Sequence, residues 1–139
     1  MNILVAEDSK PDQIILQEAF KEAKVDHNLY MVQDGIEVLE FLRMEGIFYD
    51  VPKPDLIILD LNMPRKTGLE VLPDIKNNPK WEHIPILIFS NSEYNGDICQ
   101  CYSMGVHAYL SKPADFQGFI NLAHVIDVFW SKLVRYCAH

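Results

Sequence analysis

A few polar residues spaced along this chain could do chemistry together. They are the acid pair Glu7-Asp8, the aspartate Asp60, the hydroxyl of Ser90 and the amine of Lys112. Each follows a short apolar run. Three carboxylates brought together repel one another, and some would take up protons unless a cation compensated. A hard divalent ion with oxygen ligands is the natural compensation. Mg2+ keeps several waters and needs only one or two direct carboxylates, so it suits such a set. With the ion in place, Asp60 can stay ionised and attack a phosphoryl group to form an aspartyl phosphate. The ion and Lys112 would neutralise the phosphoryl oxygens, and Ser90 would donate to one of them.

These residues converge only if the apolar runs are neighbouring strands. Leu56-Ile57-Ile58-Leu59, set between Asp55 and Asp60, has the character of a central parallel strand buried on both faces. Pro64 prevents the strand from continuing. A lone aspartate after a strand more often just starts a turn, but in an open α/β sheet the C-terminal strand tips are where ligands sit. Ile3-Leu4-Val5-Ala6 is a first strand ending at Glu7-Asp8, and Asn28 to Val32 is a second. Ile84 to Phe89 is a fourth, ending at Ser90-Asn91-Ser92. His107 to Ser111 is a fifth, followed by Lys112-Pro113.

Helical patterns alternate with the strands. Ser9 offers an N-cap, Pro11 suits the first turn and Asp12 completes a Ser-x-x-Asp capping pattern. Ile15, Leu16, Ala19, Phe20 and Ala23 then share one face. Asp34-Gly35 opens a second helix, with Val38, Leu39 and Leu42 inward and its end near Gly46. In the Gly46 to Pro54 connection, Ile47, Phe48 and Tyr49 are expected to pack. Thr67 and Glu70 form a second capping box, and Pro73 inside that helix should kink it. The fourth helix, Asn95 to Met104, is short, with only Ile98, Cys101 and Tyr102 as an apolar face, and low local stability is expected of an element that moves. Asp115 caps a last helix running to about Arg135. Five βα units with right-handed crossovers give a doubly wound, five-stranded parallel sheet in the flavodoxin-like order 2-1-3-4-5.

The 139 residues suit one core, and a hydrophobic content of 49% argues against disorder. Twelve basic residues against twenty acidic ones, with no basic cluster, argue against a nucleic-acid surface. Cys99, Cys101 and Cys137 are too sparse for a disulfide framework and read as reduced thiols. Cys99 and Cys101 lie two apart on a helix and point different ways, so a structural role outweighs a metal dyad. No apolar run reaches spanning length and no basic leader precedes the first strand, so no membrane partner and a cytoplasmic location are expected.

At Glu7-Asp8, Asp60-Leu61-Asn62-Met63-Pro64 with Gly68, Ser90 and Lys112-Pro113, the chain resembles the CheY-like receiver domains of two-component response regulators. The resemblance runs from Asn2 to about Arg135. It implies a single receiver over 1–139 with no output domain. Asp60 would be the phosphoacceptor, supplied by a sensor histidine kinase. Asp8 and Asp60 would bind Mg2+ directly, Glu7 through water and Asn62 through its carbonyl. Lys112 would hold the phosphoryl group, and Lys112-Pro113 would be a cis bond, as X–Pro peptides permit. Ser90 and Tyr109 would form the switch, and Asn62 and Ser92 would tune the phosphoryl lifetime. One departure is Asn91, where the family often has Ala or Gly, and it bears on kinetics. The Gly46–Pro54 connection, Lys76-Asn77-Asn78-Pro79, Ile84-Pro85 and Phe129-Trp130 resemble more narrowly the single-domain regulators associated with phytochromes.

Glu7-Asp8 alone would be an acidic turn, Tyr109 alone a packed aromatic, and Arg65-Lys66 is assigned no role beyond solvated surface. The last helix is apolar nearly all round, which favours a homodimer through it. Three function classes compete. The leading one is a stand-alone phosphoacceptor that switches protein partners. The second is a receiver-like interaction module that ignores phosphate, against which the intact acid and lysine set speaks. The third is a phosphohydrolase of the haloacid dehalogenase type, which needs an acid two residues after its nucleophile, where this chain has Asn62.

Overall fold

The structure, a computed structural model, describes residues 1–133, with side chains described as far as residue 130. Strands and helices alternate: β1 Asn2–Ala6, α1 Lys10–Glu22, β2 Asn28–Val32, α2 Gly35–Arg43, β3 Leu56–Leu59, α3 Gly68–Lys76, β4 Ile86–Ser90, α4 Asn95–Ser103, β5 Ala108–Ser111 and α5 Phe116–Ile126. A 3-10 turn, Gly46–Phe48, lies in the α2–β3 connection, and α5 continues into a π-helical stretch, Asp127–Leu133. The expected end of the last helix near Arg135 lies outside the described residues.

All five strands are parallel, in the order β2-β1-β3-β4-β5. Side-chain alternation sorts the core into two layers. Leu4, Ala6, Ile57, Leu59, Ile86 and Ile88 pack with residues of α2, α3 and α4. Ile3, Val5, Leu56, Ile58, Leu87 and Phe89 pack with residues of α1 and α5. Every side chain of β3 is buried, and each Leu or Ile so buried contributes about 1.5–3 kcal/mol. Burial on both faces is why β3 reads as an unbroken apolar run.

Three local expectations are corrected. The second helix stops at Arg43, short of Gly46, because Met44 adopts the left-handed conformation (φ 57°) that usually signals a glycine cap. Of Ile47, Phe48 and Tyr49 in the following connection only Phe48 packs, against Phe41 at 5.3 Å between ring centroids, while Ile47 and Tyr49 are 82% and 74% exposed. On α4 only Cys101 is buried, so the expected apolar face is narrower still. No helix among the described residues is long and apolar enough to cross a membrane.

Candidate functional site

The sheet's hydrogen-bond ladder runs one residue past three strands, and it places the polar residues there. Glu7 N–H donates to the Val32 carbonyl at 2.9 Å, Asp60 N–H to Ala6 at 3.0 Å and Lys112 N–H to Ser90 at 3.0 Å. Three of the candidate side chains are thus fixed by backbone pairing at the C-terminal ends of β1, β3 and β5.

Oxygen atoms of Glu7, Asp8 and Asp60 lie within 4.8 Å of one another, with Glu7 and Asp60 buried and Asp8 exposed. The Lys112 ammonium stands among them, 2.6 Å from Glu7 Oε1 and 3.2 Å from Asp60 Oδ2. A third carboxylate, Asp12 Oδ2, is 3.0 Å from the same nitrogen. Asp60 Oδ1 accepts from the Asn62 N–H at 3.1 Å, which aims the carboxylate and folds the chain over the strand tip. Gly68 is required where α3 begins, since a Cβ there would meet the Asp60 carbonyl and lie 2.8 Å from Leu61 Cα.

Burial, reinforced by the charge of Asp60, pushes the Glu7 carboxyl up to about 7 against the opposing contacts of Lys112 and Ser9. For Lys112, burial favours the neutral amine, but Glu7, Asp12 and Asp60 outweigh it and hold the ammonium above its ordinary value. Glu7 Oε1 is buried with no aligned hydrogen-bond donor; its 2.6 Å approach to Lys112 is an ion-pair contact. An all-oxygen set of three carboxylates whose oxygens lie within 4.8 Å of one another fits a hard divalent cation.

Ser90 is fully buried, and its Oγ accepts from the Ser92 N–H at 3.1 Å. Ser92 Oγ donates to Asp97 Oδ2 at 2.9 Å, tying the β4–α4 loop to α4. The Tyr109 hydroxyl donates to the Ser92 carbonyl at 2.8 Å, and the half-buried ring packs on the α2–α4 layer. The structure therefore gathers Glu7, Asp8, Asp60 and Lys112 in one cluster, with Ser90, Ser92 and Tyr109 joined in a chain beside it. The Lys112-Pro113 peptide is trans, correcting the expected cis bond: the described residues contain no cis peptide. X–Pro bonds favour trans by only about 0.5–1 kcal/mol, and the trans form already brings Lys112 to Asp60.

Three contributors carry no clear signal in the sequence. Asp12 reads there as part of the α1 cap. Tyr102, on α4, accepts at its hydroxyl from the Tyr109 N–H at 3.0 Å. Arg65, which adopts a left-handed φ of 62°, donates to the buried Asp34 at 2.7 Å and so fastens the loop after Asp60 to the α2 cap.

The chain is similar in sequence and fold to known proteins. The model of the response regulator receiver domain matches residues 3–124. The response regulator Rcp1 of Synechocystis is 37% identical over 132 residues, covering 95% of this chain and 90% of that protein. The Mn(2+)-bound form of Rcp1 superposes with a TM-score of 0.87 at 36% identity over 99% of both chains. The phosphorylated cyanobacterial phytochrome response regulator RcpA gives 0.90 at 36% identity, covering 99% of this chain and 98% of that one.

Proposed function

The chain belongs to the response regulator receiver family, and on that premise we propose that it is a phosphorylation switch whose phosphoacceptor is Asp60. One arrangement carries the reading: Asp60 Oδ2 lies 3.2 Å from Lys112 Nζ, with Glu7 and Asp8 beside it. The donor is a phosphohistidine of a sensor histidine kinase. A carboxylate oxygen of Asp60 attacks phosphorus, a P–O bond forms, the P–N bond breaks and its electron pair leaves on the imidazole nitrogen. Lys112 meets a phosphoryl oxygen from its present position and stabilises the developing charge.

Asp8, Asp60 and the Asn62 carbonyl would hold Mg2+, and Glu7 would act on it through water. When bound, the ion neutralises the carboxylates and the phosphoryl oxygens. That a similar protein is known in a Mn(2+)-bound form, and another in a phosphorylated form, supports both parts. Ser90 exchanges its bond with the Ser92 N–H for one to a phosphoryl oxygen, and Tyr109 responds through the Ser92 carbonyl it already engages. Asn62 and Ser92 flank the approach of a hydrolytic water and set the phosphoryl lifetime.

The output of the receiver domain is protein binding. The chain catalyses its own phosphorylation and dephosphorylation and turns over no external substrate. Exposed Val125, Val128 and Phe129 at the end of α5 form the contact of a homodimer. The test is phosphoryl uptake by wild type and Asp60→Asn. If it fails, a phosphate-independent interaction module is the reading that remains.

A further inference from the structure

The Ser9-x-x-Asp12 pattern assigns Asp12 a local task, to accept from the Ser9 N–H in a capping box. Half of that box exists: Ser9 Oγ accepts from the Asp12 N–H at 3.3 Å. The other half does not. The Ser9 N–H goes to Glu7 Oε2 at 3.1 Å. At α3, by contrast, Thr67 and Glu70 complete both halves. With its local donor taken, the Asp12 carboxylate sits 3.0 Å from Lys112 Nζ, across 100 positions of sequence.

We propose that Asp12 is a positioning residue for Lys112, the one carboxylate on the ammonium that stands outside the cation-holding set. This rests on the phosphoacceptor reading above. An ammonium has three donors, and Lys112 has three carboxylates about it, Glu7, Asp12 and Asp60. Glu7 and Asp60 also belong to the acidic trio. A divalent ion there draws on their charge and repels the lysine. Asp12 is then the anion that keeps the ammonium in place. One Nζ position satisfies Asp12 and Asp60 together, so the contact holds the lysine at Asp60 and does not draw it away. Restraint is needed because Lys112 and Asp12 both line an open cavity of about 330 Å³, walled also by Asn91, Pro113, Phe116 and Phe119, into which an unheld side chain could swing.

The test compares wild type, Asp12→Ala and Asp12→Glu at saturating Mg2+. One arm measures the rate of phosphoryl uptake from acetyl phosphate. The other observes the Lys112 ammonium by 15N-detected NMR, where a held, exchange-protected amine gives a sharp signal and a free one does not. The expected result is a rate about tenfold lower in Asp12→Ala, with the ammonium signal lost and both restored in Asp12→Glu. A rate within twofold of wild type, or a retained ammonium signal in Asp12→Ala, overturns the proposal. If wild type takes up no phosphoryl group, the phosphoacceptor reading fails instead, and the NMR arm alone decides whether Asp12 holds the lysine. Urea melts of all three proteins without metal separate these outcomes from loss of fold.

Discussion

Lys112 and Asp60 are 52 residues apart in the chain and meet at 3.2 Å. The sheet brings them together. β4 lies between β3 and β5, and the ladder extends past the strand ends to the Asp60 and Lys112 amides. Because the lysine is only 8% exposed and answers three carboxylates, its removal leaves uncompensated charge. Lys112→Met should lower metal-free stability by about 3 kcal/mol. Mg2+ should recover most of that loss in urea melts, while phosphoryl uptake stays impaired. A variant as stable as wild type in chelator would show the ion pairs to be dispensable.

Glu7 makes metal-free stability depend on pH in an unusual direction. Burial pushes its carboxyl up to about 7 in the folded protein, from the ordinary value of 4.5. A raised carboxyl binds its proton more tightly in the folded state. Its contribution is therefore most favourable below about pH 4.5 and is lost as pH rises to about 7. In EDTA, wild type should lose stability relative to Glu7→Gln between pH 5 and pH 8. The difference between the two proteins cancels the trends of other groups. A flat difference would mean that Glu7 is not held protonated by burial.

Gly68 tests how tightly the strand tip is packed. Its N–H donates to the Leu61 carbonyl at 3.0 Å, and a Cβ would run into the Asp60 and Leu61 backbone. Gly68→Ala should cost about 1–3 kcal/mol, the usual range for overpacking. It should also weaken Mg2+ binding by calorimetry, since the backbone that moves carries Asp60. Unchanged affinity and stability would show that the loop yields freely.

The α5 surface tests the homodimer. Val125, Val128 and Phe129 are about half exposed, and Phe129 and Trp130 rings lie 4.6 Å apart. Val128→Asp should shift sedimentation of the wild-type dimer to monomer. Monomeric wild type, with and without phosphodonor, would remove the dimer from the account.

The strand set and the acidic site were legible because both arise from local composition. An apolar run such as Leu56–Leu59 must be a doubly covered strand, and the polar residue that ends it must surface at the sheet edge. Asp12 was not legible, because its capping role and its contact with Lys112 share one local pattern. Only the folded neighbourhood, with Glu7 occupying the Ser9 N–H, tells them apart. Tyr102 was hidden for a similar reason: it meets the Tyr109 N–H on the edge strand β5, a tertiary contact. The end of α2 at Arg43 carries no signal in the sequence because Met44 takes a left-handed cap without a glycine to announce it. The Lys112-Pro113 isomer could not be read from residues whose two forms differ so little in energy.

Whether Asp60 accepts a phosphoryl group with a divalent cation is decided by intact-protein mass after incubation with acetyl phosphate and Mg2+, for wild type and Asp60→Asn. The expected result is the mass of one added phosphoryl group in wild type, none in Asp60→Asn, and none in wild type once the metal is chelated. No addition to folded wild type with Mg2+ present, or equal addition to Asp60→Asn, would contradict it.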